Sequence, residues 1–365
     1  MLKRFAVIAV LLIAFAGLAF ANGNREKQTE KQAVTKNKQV VQELLGAGAT
    51  FPYPFYSKMF DAYHSKTGVK VNYQAIGSGG GIRQLSSKTV DFGGTDAFMK
   101  DSDLAKVDGT ILHIPTCLGA VTITYNLKGI NSLRFTPDII AGIFLGDITR
   151  WNDSRIEKVN SGVTLPNEKI VVAHRSDGSG TTAIFSDYLS KISQRWKTKV
   201  GAGKSLNWPV GLGGKGNAGV AGIVKQTPGS IGYVELIYAI SNGMPVADLE
   251  NKSGNYVTPS IKSVSLAANV RLPDDTRISI TNTDASEGYP ISGFTWLIFY
   301  KEQKYSGRSL AEAQELLKLL WFAEHEGQKY AEPLHYAPIP AEAVAKAEAI
   351  INSVTYDGKP VSFTK

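Results

Sequence analysis

The sequence predicts an α/β protein built from two lobes with largely parallel sheets. Short apolar runs typical of strands alternate along the chain with longer runs whose apolar residues recur at helical spacing. Beyond a polar N-terminal region, about 325 residues remain, which is more than one hydrophobic core usually serves. No internal repeat accompanies this pattern, so the lobes are not expected to be copies of one another.

The N-terminus has the layout of a secretory signal peptide. Lys3 and Arg4 precede an uncharged apolar run over residues 5–20, and small residues surround the predicted cleavage point after Ala21. An uncleaved membrane anchor is the alternative, but the run is shorter than the ~20 apolar residues that a spanning helix needs. We therefore expect residues 1–21 to be removed and the mature protein to be periplasmic.

The next segment is too polar to fold. Lys, Gln, Asn and Glu dominate residues 22–39, and such a composition cannot bury enough surface to offset the ordering of its backbone. Residues 22–42 are accordingly predicted to be a disordered leader.

Charge and cysteine content exclude few functions. The formal charge of the chain is +8, but much of it lies in the first 38 residues, so the folded body gives no reason to expect nucleic acid as a partner. An anionic small ligand is compatible with this balance. Cys117 is the single cysteine and cannot form an internal disulfide, so we expect a buried apolar role for it.

Strand and helix patterns follow one another along the body. The predicted strands are residues 69–75, 90–92, 120–125, 170–173, 231–236 and 294–300. The clearest helical patterns cover residues 55–63, which Gly68 ends, and residues 184–192. Residues 309–353 are also predicted to be helical, with breaks at Pro333, Pro338 and Pro340.

Four turns rich in Gly, Ser and Thr stand beside these elements, at residues 46–51, 76–81, 91–96 and 175–182. The first N–H groups of a helix lack intrahelical partners and lie at the positive end of its dipole, so a helix start can bind an anion. Glycine permits close approach, and hydroxyls add donors. Any one turn could be an ordinary helix cap, but four of them together favour a site for a tetrahedral oxyanion.

These turns, together with residues 211–217, resemble the motifs of the periplasmic phosphate-binding proteins of bacterial ABC-type importers. The resemblance runs in order from about Leu45 to the C-terminus. It implies a two-lobed periplasmic-binding-protein fold of type II, in which each lobe is a mostly parallel sheet flanked by helices and a hinge lies between them. Lobe I would comprise residues 43–125 and 295–365, and lobe II residues 126–294.

The resemblance also implies a function and a set of ligand contacts. The protein would be a monomeric, non-enzymatic binder, without cofactor or metal, that delivers inorganic phosphate to permease subunits at the membrane. Asp177 would orient the arginine of the site for two-point contact. The phosphate-binding residues would be Thr50, Phe51, Ser78, Asp96, Arg175, Ser179, Gly180 and Thr181.

Asp96 is the expected source of selectivity. A carboxylate in an anion site is unfavourable unless the ligand brings a proton to share, as hydrogen phosphate does and sulfate does not. Against sulfate it would be a buried like charge, which costs several kcal/mol in a low dielectric.

Two other functions remain open at this stage. A binding protein for another oxyanion would have no use for Asp96. A secreted phosphate-ester hydrolase would need Ser78 or Ser179 as its nucleophile, but neither lies in a Gly-x-Ser-x-Gly motif, and the histidines show no metal spacing. Lys215 and Asn217 lie in a further glycine-rich turn, for which simple helix capping is the alternative to a role in the site.

Overall fold

A mixed sheet of eight strands forms the centre of the protein in a computed structural model that describes residues 41–365. The predicted signal peptide and most of the predicted leader lie outside the described residues. The described residues form thirteen strands, which are β1 (Glu43–Gly48), β2 (Lys70–Ala75), β3 (Phe92–Thr95), β4 (Ile111–Tyr125), β5 (Arg134–Phe135), β6 (Val171–Arg175), β7 (Leu212–Gly214), β8 (Ser230–Glu235), β9 (Asp248–Glu250), β10 (Tyr256–Val257), β11 (Ser292–Tyr300), β12 (Thr355–Tyr356) and β13 (Lys359–Pro360). Eight of them belong to this sheet, β5, β9 and β10 form a second sheet, and β12 pairs with β13.

Helices cover the sheet and join its strands. They are α1 (Tyr53–Thr67), α2 (Ser78–Ser86), α3 (Asp101–Leu104), α4 (Pro137–Leu145), α5 (Ser154–Val159), α6 (Gly180–Ile192), α7 (Gln194–Lys199), α8 (Gly216–Gln226), α9 (Leu236–Ser241), α10 (Ile261–Ala267), α11 (Leu310–Glu324) and α12 (Ala341–Asn352). Two 3₁₀ turns, Glu326–Tyr330 and Glu332–Leu334, separate the last two helices. The alternation of strands and helices confirms the predicted α/β class.

The strand order is β2-β1-β3-β11-β4-β8-β6-β7. Neighbours pair in parallel at the two ends of this order, where β1 pairs with β2 and β3, and β6 with β7 and β8. The middle is antiparallel, because β11 runs against β3 and β4, and β4 runs against β8. The parallel sheets that the sequence predicts are therefore present at both ends and are joined by antiparallel strands.

Strand β4 connects the two ends of the sheet. Nine of its first ten residues pair with β11 and its last five pair with β8. The register against β11 shifts between Thr295 and Trp296, which face Cys117 and Pro115 and leave Thr116 unopposed in a bulge. A proline has no N–H to donate and is tolerated in a strand at such a bulge. The strand thus begins at Ile111, nine residues before its predicted start at residue 120.

Strand β1 was missed by the sequence reasoning, which assigned its glycines to a turn. A Cβ atom on Gly46 would overlap the ring of Phe92, and one on Gly48 would overlap the backbone of Gly94. Both glycines are therefore required by close packing of β1 against β3. The predicted strand at residues 90–92 has the wrong bounds. It shares only Phe92 with β3, which continues through two glycines to Thr95.

The helix boundaries follow the expected chemistry with one exception. Helix α1 ends at Gly68, whose φ of 77° lies in the left-handed region that glycine adopts readily. The C-terminal helical segment was expected to break first at Pro333, but α11 already ends at Glu324 and the 3₁₀ turns follow. Its beginning is a capping box between Ser309 and Glu312.

The described residues form one compact unit. The boundaries at residues 125/126 and 294/295 that divide the predicted lobes stay a prediction. Within residues 41–365, no helix combines the length and apolar character needed to cross a membrane.

Candidate anion-binding site

The predicted ligand residues come from three strand-to-helix connections and one loop that meet in the interior. Thr50 and Phe51 lie between β1 and α1, Ser78 begins α2, and Asp96 follows β3. Residues 175–181 join β6 to α6. All eight predicted positions are buried, and Thr50, with 9% of its surface exposed, is the most accessible side chain among those with a polar group.

Arg175 is held by a two-point contact with Asp177. Its Nε lies 2.7 Å from Oδ1 and its Nη2 lies 2.6 Å from Oδ2 of that carboxylate. Nη1 donates to Oγ1 of Thr181 at 3.1 Å, and the backbone N–H of Gly216 donates to Oδ1 of Asp177 at 3.0 Å. Burial opposes ionisation of Asp177, but the Arg175 guanidinium and backbone N–H groups, including that of Gly216, together outweigh it and lower the pKa of Asp177. The predicted pairing of these two residues is therefore present.

Asp96 is a buried carboxyl with few donors. Oδ1 accepts from the Thr295 hydroxyl at 2.8 Å, and Oδ2 lies 3.5 Å from Oγ of Ser78. The backbone N–H of Asp96 donates to the same Ser78 hydroxyl at 3.2 Å. Burial raises the pKa of Asp96 from 3.8 to about 7, although the Thr295 hydrogen bond, the Arg175 charge and the Ser78 hydrogen bond each lower it. Near neutral pH this carboxyl can therefore either hold a proton or accept one from a ligand.

The first turns of two helices supply unpaired donors. Ser78 is the first residue of α2, and Gly180 and Thr181 are the first two of α6, so their N–H groups have no intrahelical acceptor. Ser179 caps α6, because its hydroxyl accepts from the N–H of Thr182 at 3.0 Å. Its own N–H donates to the carbonyl of Lys204 at 2.8 Å. Ser179 can therefore offer its hydroxyl to an anion, but its N–H is already used.

Gly180 brings the start of α6 against Ser78 and Asp96. A Cβ atom on Gly180 would lie 2.5 Å from Oδ2 of Asp96 and closer still to Oγ of Ser78. The structure thus brings Gly180 next to two residues that lie about 80 and 100 positions earlier in the chain. No side chain larger than glycine fits between these groups.

We expect Gly180→Ala to weaken anion binding by about 5- to 150-fold, because an overpacked contact of this kind costs roughly 1–3 kcal/mol. Calorimetric titration with phosphate measures the loss, and circular dichroism checks the fold. Gly222→Ala is the matched control, since Gly222 lies inside α8 and a Cβ there meets nothing within 4 Å. Equal affinities for the two variants would contradict the close contact at Gly180.

Several groups in the site were not assigned from the sequence. Thr295 donates to Asp96 from β11, and Tyr238 donates to the Thr50 carbonyl at 2.5 Å. Tyr336 donates to the Phe51 carbonyl at 2.6 Å. Glu235 is fully buried, and burial raises its pKa well above the usual range. Asn217, which the sequence analysis noted in the glycine-rich turn before α8 without assigning it a role, also lies in the site and contacts Thr50 and Thr181.

Metal chemistry has no visible basis in the described part of the chain. Residues 41–365 contain no group of three or more His, Cys, Asp or Glu side chains placed to hold a metal ion. The donors of the site are N–H groups, hydroxyls and a guanidinium, which suit an anion.

Comparison with known proteins gives consistent matches. The family model described as a PBP superfamily domain matches residues 32–320. The phosphate-binding protein PstS of Xylella fastidiosa is 43% identical over 312 residues, a match that covers 84% of each chain. PstS of Pasteurella multocida is 39% identical over 358 residues, covering 96% of this chain and 95% of its own.

Solved structures share the fold. A periplasmic phosphate-binding protein named PfluDING, solved with phosphate bound, superposes with a TM-score of 0.67 at 20% identity and covers 84% of this chain and 93% of its own. An ABC-type phosphate transport receptor from Vibrio cholerae gives a TM-score of 0.54 at 16% identity, covering 81% of this chain and all of its own. The chain has the two-lobed fold of these proteins and belongs to the family of periplasmic phosphate-binding proteins of ABC-type importers.

Proposed function

We propose that the protein binds inorganic phosphate outside the cytoplasmic membrane and delivers it to the permease subunits of an ABC-type phosphate importer. The observation that carries this proposal is the buried Asp96 carboxyl, with its raised pKa, among the donors of an anion site. Relatives that are 39–43% identical and bear the name phosphate-binding protein support it.

The proposed ligand contacts follow from the unpaired donors. The N–H groups at the starts of α2 and α6 and the Arg175 guanidinium would stabilise the negative charge. Hydroxyls of Thr50, Ser78 and Ser179 would add neutral donors, and Asp96 would accept the proton that phosphate retains near pH 7. Sulfate has no such proton, so the same carboxyl would oppose it.

Closure of the two lobes would exclude water from the anion. Contacts between the proposed lobes support this: Gly79 N–H donates to the Gly178 carbonyl at 2.7 Å, and Tyr238 donates to the Thr50 carbonyl. Both contacts join residues 43–125 to residues 126–294. A small anion can touch donors from both parts only while these contacts are made, so ligand binding and closure should be linked.

Binding without turnover is the favoured role. Within the described residues, the Ser78 hydroxyl contacts Asp96 and the Ser179 hydroxyl contacts a backbone N–H, and neither contacts a histidine that could act as a base. The hydrolase alternative therefore has no observation in its favour. We further propose that the protein is a monomer, needs no cofactor or metal, and is exported by the signal peptide at residues 1–21.

Calorimetric titration of the mature chain with phosphate and with sulfate tests the proposal. Phosphate should bind in a one-to-one complex, and sulfate should bind far more weakly. Small-angle scattering of the same samples should show a smaller radius of gyration with phosphate than without it. Stronger binding of sulfate than of phosphate would contradict the proposed ligand, and turnover of a chromogenic phosphate ester would contradict the binding role.

A further inference from the structure

Asn217 is a fully buried side chain that joins three separate parts of the site. It is the second residue of α8, and none of its surface is exposed. Its Oδ1 accepts from the backbone N–H of Glu235 at 2.9 Å. An N–H can only donate, so this bond fixes which end of the amide is which. The amide Nδ2 therefore faces the hydroxyls of Thr50 and Thr181, at 2.9 and 3.1 Å.

The hydroxyl of Thr50 has no acceptor capacity left. A hydroxyl oxygen has two lone pairs and one proton. Oγ1 of Thr50 accepts from Nδ2 of Asn217 and also from its backbone N–H at 3.2 Å. Its own proton has no acceptor among the described residues, so the Thr50 hydroxyl can only donate, and only to a ligand or to water.

The hydroxyl of Thr181 is in the same position. Oγ1 of Thr181 accepts from Nδ2 of Asn217 and from Nη1 of Arg175, both at 3.1 Å. Its proton also lacks an acceptor within residues 41–365, although none of the side-chain surface is exposed. A buried donor without an acceptor is costly, so this proton points to an acceptor that the ligand brings.

We propose that Asn217 is a positioning residue that fixes the hydroxyls of Thr50 and Thr181 as obligatory donors, and that it thereby sets the orientation of the bound phosphate. This inference rests on the proposed function. Oxygens of the ligand that accept hydrogen bonds would face Thr50 and Thr181, and when Asp96 is ionised a protonated oxygen of the ligand would face that carboxylate. Asn217 would thus favour the orientation in which the proton of the ligand points towards Asp96 and away from Thr50 and Thr181.

Two substitutions separate this role from space filling. Asn217→Asp keeps the shape but replaces the donor by an acceptor, so both hydroxyls would turn towards the carboxylate and away from the ligand. Asn217→Ala leaves a gap but lets both hydroxyls still donate to phosphate. At pH 8 we expect about tenfold weaker phosphate binding for Asn217→Ala and about 100-fold weaker binding for Asn217→Asp. A residue that only fills space would give the opposite order.

The pH dependence gives a second readout. Measured relative to the parent at each pH, the affinity of Asn217→Asp should recover in part towards pH 5.5, because a protonated carboxyl regains one donor. The relative affinity of Asn217→Ala should stay constant. The control is Asn160→Asp, which alters a buried asparagine whose partners are Arg134 and Ile156, and it should bind phosphate as the parent does.

A third measurement does not depend on the folding of Asn217→Asp. Thr50→Val should cost about tenfold in phosphate affinity in the parent and clearly less in the Asn217→Ala background, because Asn217 no longer aligns the hydroxyl. Equal losses in both backgrounds would overturn the inference, as would an Asn217→Asp variant that binds phosphate more tightly than Asn217→Ala. In both cases a parent that still binds phosphate leaves the proposed function standing. A parent that does not bind phosphate overturns both.

Discussion

Replacing Arg175 with alanine should weaken phosphate binding by about 2–5 kcal/mol, the usual loss when one partner of a buried charge pair is removed. Arg175 is 3% exposed, and its guanidinium is oriented by two hydrogen bonds to Asp177. Without it, the partly buried Asp177 carboxylate would lose its counter-charge. Arg175→Lys should lose part of this energy, because an ammonium cannot reproduce the two-point geometry.

Titration calorimetry measures both variants, and Arg155→Ala provides a matched control. Arg155 also contacts both oxygens of an aspartate two positions away, Asp153, at 2.8 Å each, but its side chain is 53% exposed. An exposed pair of this kind contributes little, so the control should bind phosphate as the parent does. Unchanged affinity in Arg175→Ala would remove this residue from the site.

Asp96→Asn should reduce the selectivity for phosphate over sulfate. Asparagine has nearly the shape of the carboxylate, carries no charge and can both donate and accept. Sulfate binding should therefore strengthen by about 1–3 kcal/mol, the cost of an unsatisfied buried acceptor that the substitution removes. Phosphate affinity should change less, because the amide oxygen can still accept from the protonated oxygen of the ligand.

The same substitution should remove a pH dependence. The pKa of Asp96 is raised to about 7, so in the parent the carboxyl gains a proton as the pH falls below 7 and its repulsion of sulfate is lost. Sulfate binding to the parent should strengthen from pH 8 to pH 5.5, and binding to Asp96→Asn should not. Asp91→Asn is the control, because the Asp91 carboxyl pairs with Arg308. A parent and an Asp96→Asn variant with the same phosphate-to-sulfate ratio would show that another group discriminates.

Local motifs predicted the parts of the site that come from continuous stretches of chain. Arg175 and Asp177 are two positions apart, and the Ser179 cap directly precedes α6, so spacing alone could suggest their contact. The orientation of Arg175 depends on Asp177, a residue two positions away in the sequence. The structure places these residues together as the sequence predicted, although whether they bind phosphate stays a prediction.

Contacts between distant segments could not be predicted in this way. Thr295 lies in the middle of β11, in an apolar strand whose pattern indicates only burial, yet its hydroxyl is the strongest donor to Asp96. Strand β1 could not be predicted, because its glycines are needed for close packing against β3 and give no alternation of apolar and polar residues in the sequence. Asn217 was noticed in the sequence, but its role depends on hydrogen bonds to residues 36 and 167 positions away.

The position of β11 in the sheet has a consequence for how the chain acquires its structure. This strand lies between β3 and β4, although about 170 residues of chain separate it from the nearer of the two. Until Tyr300 has been synthesised, β3 and β4 each have an unpaired edge where β11 belongs, and Asp96 lacks its Thr295 partner. Such non-local pairing is slow to form, and unpaired strand edges invite association with other chains. A nascent chain therefore cannot complete its central sheet until most of the chain has been synthesised.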